Sequence, residues 1–212
     1  MIPYRIHTPR LVIRCYEPSD AFLLKRAVDA SIEHLLPWMP WAEYEPQTIE
    51  EKVDLTRRFR ARFDTGEDFT MAILDRDQTE IVGGTGLHRR AGKGTLEIGY
   101  WVAAEHGGKG YVTETAAALT RVAFKLHGMV RVEIRCDPKN ERSLAVPRRL
   151  GYTLEGVLRK NRVENGAPRD TMIWSMIEEE FDTSPAAAVA VEAFNVLGDP
   201  LPLENRALRA EG

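Results

Sequence analysis

Apolar and polar positions alternate along much of this chain, and prolines and glycines break the pattern at intervals. Leu11 to Tyr16 is apolar and lies between Pro9 and Pro18-Ser19-Asp20, which predicts a strand bounded by breakers. Ser19 then stands where it would cap a helix from Asp20 towards Ala30, with Phe22, Leu23, Ala27 and Val28 as its apolar positions. Thr48, followed three residues on by Glu51, is a capping box that opens a helix to about Phe63. Between these two helices, Leu35-Leu36-Pro37-Trp38-Met39-Pro40-Trp41 holds two prolines and argues against regular helix. Phe69–Leu74, Ile81–His88 and Thr95–Ala103 read as three strands joined by polar turns, an antiparallel meander. Val112, Ala116, Leu119, Ala123 and Leu126 recur at helical spacing. Val130, Val132, Ile134 and Cys136 share one face of a strand, with Arg131, Glu133 and Arg135 on the other. Asn140 to Leu150 predicts a short helix stopped by Gly151, and Tyr152–Arg162 with Asp170–Ile177 a hairpin around Asn165-Gly166.

The pattern changes after Phe181. Thr183-Ser184-Pro185 breaks the chain, Ala186 to Leu197 is compatible with helix, and Asp199-Pro200-Leu201-Pro202 breaks it again. The expectation is one domain over 1–181 and a tail over 182–212, either a packed helix or a disordered arm. Length agrees: 212 residues make one domain and a little more, at roughly 100–200 residues per domain.

Composition narrows the class. With 43% hydrophobic residues the chain can build a core, which excludes a disordered chain. No apolar run approaches the roughly 20 residues of a membrane span, and MIPYRIHTPRLVIR has no apolar core of a secretory signal. A net charge of -3 gives no basic footprint for nucleic acid. Cys15 and Cys136 lie far apart in apolar alternation, without C-x-x-C or histidine neighbours. They read as reduced thiols of a cytoplasmic protein, and no metal site is expected.

The most informative stretch is Glu97-Ile98-Gly99-Tyr100-Trp101-Val102 followed by Ala103-Ala104-Glu105-His106-Gly107-Gly108-Lys109-Gly110-Tyr111 and a helix. Strand, glycine loop and helix N-terminus together form an anion site: free N–H groups point out of the first helical turn, and glycines let a phosphate come close. Lys109 could add a charge. The loop is not a Walker A motif, because Lys109 is followed by Gly110 and Tyr111. Nor is it a dinucleotide fingerprint, because the third glycine is missing. Gly83-Gly84-Thr85-Gly86 lies within a strand and opens no helix.

EIGYWVAAEHGGKGYVTE and RVEIRCDPKNERSLAVPRRLGYTLEGVLR resemble the GNAT N-acetyltransferases. TPRLVIRCYEPSDA, LLPWMPWA and NGAPRDTMIWSMI resemble the RimJ/RimL branch, which modifies ribosomal-protein N-termini. The resemblance covers roughly residues 5–181. It implies an α/β fold with a splayed, mostly antiparallel mixed sheet flanked by helices. It also implies acetyl-CoA as co-substrate, lying between the Thr95–Ala103 and Val130–Cys136 strands. The family's glycine motif maps to Glu105–Gly110, with Glu where the family has Gln or Arg. The pyrophosphate would sit on the amides from His106 to Val112, that is His106, Gly107, Gly108, Lys109, Gly110, Tyr111 and Val112, beyond Trp101 and Val102. Asn140 matches the family's asparagine beside the pantetheine arm.

Acetyl transfer to an amine needs a deprotonated amine, a polarised carbonyl and a proton for the leaving thiolate, and no covalent nucleophile if both substrates bind together. A backbone N–H near Val102 is a candidate donor to the carbonyl. The tyrosine many members use as acid is replaced by Pro147, and the branch's acid maps to Ser143, with Tyr111 and Tyr152 as fallbacks. Glu97 and His88 are candidate bases. The branch's own carboxylate position holds Arg162, with Glu164 nearby but out of strand phase. Trp38, Met39, Trp41 and Tyr44 are expected to roof the acceptor site. The acceptor is then a primary amine, on a protein N-terminus or a small molecule, and neither nucleic acid nor membrane is a partner; a homodimer is compatible. A longer acyl donor such as succinyl-CoA, a non-catalytic acyl-CoA-binding module and a different phosphate ligand such as a nucleotide are the alternatives.

Overall fold

The computed structural model describes residues 2–164 and 166–204. Asn165, on which the expected hairpin turn partly rests, and residues 205–212 of the tail lie outside them. The described chain forms β1 (Arg5–His7), β2 (Leu11–Cys15), α1 (Ala21–Asp29), α2 (Ile32–Leu35), α3 (Ile49–Asp64), β3 (Phe69–Asp75), β4 (Ile81–His88), β5 (Thr95–Val102), α4 (Tyr111–Lys125), β6 (Arg131–Cys136), α5 (Glu141–Leu150), β7 (Thr153–Glu164), β8 (Ala167–Ile177), α6 (Glu178–Phe181), β9 (Glu192–Phe194) and β10 (Pro200–Leu201). The strands form one sheet in the order β10-β9-β1-β2-β3-β4-β5-β6-β8-β7. Every neighbouring pair is antiparallel except β5 and β6.

The meander β3–β5 forms as the alternation predicts. Phe69, Met71 and Ile73 face one side, towards Ala116, Leu119 and Val122 of α4. Ala72 and Leu74 face the other, in a cluster with Leu24 and Val28 of α1. Thr48 accepts from Glu51 N and Glu51 closes the capping box, so α3 begins where the sequence places it. Asn140 caps α5 and Gly151, at φ 83°, ends it.

Three expectations are corrected. Ser19 does not cap α1: Pro18 starts a single 3-10 turn over Pro18–Asp20, and the Asp20 carboxylate is held by Arg14 and by Glu17 N. Phe22, assigned to the apolar face of that helix, points to solvent. Ala186–Leu197 is not a helix. Pro185–Ala188 is a 3-10 turn, and β9 pairs with β1, placing Ala193 opposite Ile6. The reason is tertiary: β1 presents an open edge, and Arg121 of α4 donates to the carbonyls of Ala187 and Val189, holding that backbone away from helical bonding.

The feature that positions the site is a gap. β5 pairs with β6 only from Thr95↔Arg131 to Ile98↔Ile134. Beyond Ile98 the strands part, leaving an opening through the sheet beside Gly99–Val102.

Candidate active site

Two cavities meet at this opening. One, about 650 Å³, lies on the α1/α3 face over Gly84, His88, Glu97, Gly99 and Trp101. The other, about 820 Å³, is bounded by the glycine loop and by α5. Trp38, Met39, Tyr100, Trp101, Asn140 and Ser143 line both.

The loop cavity is built as an anion site would be, with fewer open amides than the sequence suggests. His106 N donates to Ala103 O and Gly107 N to Ala104 O, so these two amides are consumed by a 3-10 turn. The turn leaves the following amides, from Gly108 to the first turn of α4, for a ligand. Gly108 and Gly110 stand at φ 78° and 80°, backbone that favours glycine, and a side-chain carbon on Gly108 would meet only open space. Lys109 does not line this cavity; its Nζ lies 3.3 Å from His106 Nδ1. The facing cations are Lys139, Arg142 and Arg149. Arg142 and Arg149 lie two helical turns apart on one face of α5, a periodicity legible in the sequence but not used in its reading. Arg10 was also missed: it donates to Lys109 O and pairs with Glu114, tying the loop to the turn before β2. This donor set of free amides and three cations suits a polyphosphate group such as that of coenzyme A.

At the junction, Ala103 N donates to Val82 O, so by strand alternation the N–H groups of Tyr100 and Val102 face the gap, where no strand among the described residues pairs with them. Asn140 Oδ1 accepts from Ser143 N, which leaves the Ser143 hydroxyl free of capping duty. That hydroxyl lies 3.2 Å from Tyr100 Oη. Burial pushes the Tyr100 phenol up, so it stays protonated. Tyr100 was not among the sequence candidates, although its alternation opposite Trp101 aims it at α5. Tyr111 lines the loop cavity, whereas Tyr152 is buried against Thr120 Oγ1 at 2.7 Å, away from both cavities. Cys136, expected as a core thiol, is buried but lines the tryptophan cavity, and burial pushes its thiol up to about 11.

The tryptophan cavity brings together Trp38, Met39, Trp41, Tyr44, Glu97 and His88. Trp41 meets Trp101 edge-on at 5.8 Å, and Arg169 of β8 lies 6.0 Å from the Trp38 ring and donates to Pro37 O. The glycines of β4 now have a purpose. A side-chain carbon on Gly84 would fall 2.2 Å from Trp101 Nε1, and one on Gly86 would fall 2.6 Å from His88 Cε1. Glu164 is in phase with the cavity after all: two residues beyond Arg162, it shares that residue's face of β7 and lines the cavity with it, 2.9 Å away. The unforeseen residue is Asp68, whose Oδ1 lies 2.7 Å from His88 Nδ1 and whose Oδ2 accepts from Thr70 at 2.8 Å. Burial alone would raise the Asp68 carboxyl, but the bonds and charge of His88 and the Thr70 hydroxyl hold it below its ordinary value.

Comparison with known proteins identifies the family. Residues 10–153 match the model of the acetyltransferase (GNAT) domain. The uncharacterized N-acetyltransferase YoaA of Bacillus subtilis is 27% identical over 174 residues, 82% of this chain and 96% of YoaA. The ribosomal protein uS5-alanine N-acetyltransferase of Escherichia coli is 25% identical over 177 residues, 81% of this chain and 90% of that enzyme. Among solved structures, Mycobacterium smegmatis RimJ in complex with CoA-disulfide superposes with a TM-score of 0.77 at 26% identity, covering 88% of this chain and 95% of RimJ. A ten-stranded sheet split beside a glycine loop and a family match over most of the core lead to one conclusion: the chain belongs to the GNAT acetyltransferase family and is an acetyl-CoA-dependent N-acyltransferase.

Proposed function

We propose that the chain transfers the acetyl group of acetyl-CoA directly to the α-amine of a protein N-terminus, with both substrates bound at once. The observation that carries this reading is the meeting of the two cavities at the sheet opening: one suits a polyphosphate carrier, the other is wide, aromatic and open to the α1/α3 face. Relatives named for ribosomal-protein acetylation support a protein acceptor, and with it a cytoplasmic setting. Among the described residues no helix is long and apolar enough to cross a membrane.

Each step falls to a residue at the junction. Acetyl-CoA supplies the acyl group as its thioester. The amides from Gly108 onward, with Arg142 and Arg149, hold the phosphates. The Tyr100 and Val102 N–H groups stabilise negative charge on the carbonyl oxygen. Ser143 Oγ gives a proton to the departing sulfur and recovers one through Tyr100. A buried Cys136 thiol at about 11 offers no thiolate at neutral pH, which favours direct transfer over an acyl-enzyme. Trp38, Met39, Trp41 and Tyr44 roof the acceptor, and Glu97 and His88 both lie where an amine proton could be taken.

The test is CoA-thiol release with peptides bearing a free N-terminal Ala or Ser, against the same peptides N-blocked but carrying lysine. Release from the free α-amine only, and a Ser143→Ala rate lowered about 10-fold or more at unchanged acetyl-CoA affinity, is expected. Release only with amino acids or polyamines moves the acceptor to small molecules. Faster turnover of succinyl-CoA overturns the acetyl assignment. Tight acetyl-CoA binding with no release from any amine leaves a non-catalytic module.

A further inference from the structure

Five carboxylates line the tryptophan cavity, and each has a cationic or imidazole partner. Glu45 is bonded to Lys52. Glu97 lies 3.8 Å from Arg90 and 3.7 Å from Arg135. Asp137 lies 3.2 Å from Arg169 and Glu164 2.9 Å from Arg162. Asp68 is bonded to His88. The imidazole differs from all of them. Its Nδ1 is committed to Asp68, and among the described residues no group is hydrogen-bonded to its Nε2. The ring lies across the directly paired glycines Gly86 and Gly99. A side-chain carbon would stand 2.8 Å from Nε2 on the first and 3.0 Å on the second. Two glycines on adjacent strands thus clear a slot for one ring, and Thr70 fixes the carboxylate that turns it.

We propose that Asp68 is a positioning residue that holds His88 as the base for the acceptor amine, in the slot left by Gly86 and Gly99. The proposal rests on the acetyl-transfer reading above and chooses between its two candidate bases. A carboxylate accepts from Nδ1–H, so the neutral ring carries its proton there and presents the Nε2 lone pair to the cavity. His88 Nε2 takes one proton from the bound ammonium, leaving a neutral amine and an imidazolium stabilised by Asp68. The amine nitrogen forms the new C–N bond as the C–S bond breaks with its electrons on sulfur. The second N–H proton reaches sulfur by way of Ser143, giving the thiol, and His88 returns its proton to water. Glu97 serves as counter-ion to Arg90 and Arg135 and takes no proton.

The test joins a spectroscopic and a kinetic measurement. Nitrogen-15 NMR of the whole chain reads the His88 tautomer and needs neither acceptor nor variant; Nδ1–H is expected. Asp68→Asn is expected to lose that tautomer and to lower kcat about 30-fold or more, at acetyl-CoA affinity and melting temperature close to wild type. His88→Gln is expected to lower kcat by about 100-fold or more. An Nε2–H tautomer in the wild-type chain overturns the proposal. So does an Asp68→Asn rate within twofold of wild type, or a rate abolished by Glu97→Gln and kept by His88→Gln. Should no amine be acetylated at all, the transfer reading itself falls, whereas an Nε2–H tautomer beside normal turnover removes the His88–Asp68 proposal and leaves that reading standing.

Discussion

The loop cavity takes most of its wall from two stretches, 100–113 and 139–149, with His34, Leu35, Trp38 and Met39 closing one side. The tryptophan cavity takes its wall mainly from α1, α3, five strands and the segment Trp38–Gln47. In the first, the binding groups are backbone amides and a row of arginines at helical spacing. In the second, side chains distant in sequence neutralise or orient one another: Glu45 with Lys52, Glu97 with Arg90 and Arg135, Asp68 with His88. A phosphate has the same shape whatever it carries, so a loop suffices for it. An acceptor site is specific through contacts that only folding assembles, and changes there should reach stability as well as activity.

The largest effect tests that link. The Lys52 and Glu45 side chains are 1% and 2% exposed, and the Glu45 carboxylate also accepts from Gln47 N. Lys52→Met leaves a buried carboxylate unpaired and is expected to cost about 3–5 kcal/mol in urea unfolding. Lys52→Met combined with Glu45→Leu should regain most of that loss. A single variant within about 1 kcal/mol of wild type would mean the acceptor wall is not held by this pair.

Gly84→Ala should do less. Its new carbon collides with Trp101 Nε1 and presses on the Tyr16 hydroxyl at 3.0 Å, so Trp101 and the Trp41 ring against it must move. The expected loss is about 1–3 kcal/mol. Because Trp101 lines both cavities, acceptor KM should rise well beyond any loss of acetyl-CoA affinity, read by steady-state kinetics and calorimetry. An equal loss of acetyl-CoA affinity would erase the distinction between the two cavities.

The smallest effect concerns the loop cavity alone. Arg142→Ala and Arg149→Ala should each weaken acetyl-CoA binding about five- to tenfold, or about 1–1.4 kcal/mol. Neither should move the unfolding midpoint. Lys109→Ala, whose ammonium contacts His106 rather than the cavity, should weaken binding by no more than about twofold. The opposite order, from calorimetric titration, would show that Lys109 turns towards the phosphates on binding.

The helices α3, α4 and α5 and the meander β3–β5 were legible because hydrophobic period, capping residues and turn glycines are local signals. The loop was legible for the same reason, although the loss of the His106 and Gly107 amides to a 3-10 turn was not. Asp68 had no local mark. It is one acidic residue before a strand, and only the pairing of β3 with β4 sets it beside His88. The phase of Glu164 was legible, since positions 162 and 164 share a strand face by plain alternation; the register shift between Leu158 and Arg162 was not. β9 was missed because its partner edge, β1, lies almost the whole chain away.

By itself the sequence determined the class of fold, the glycine loop at a helix N-terminus and, through motif order, the family resemblance. These depend on φ preferences, periodicity and backbone groups within a few turns of one another. The tertiary structure alone decided that the sheet opens after Ile98, that the tail closes an edge as strands, and that His88 Nδ1 meets Asp68 in the tryptophan cavity. These depend on which strand edges find partners and on which charges folding brings within a few ångströms.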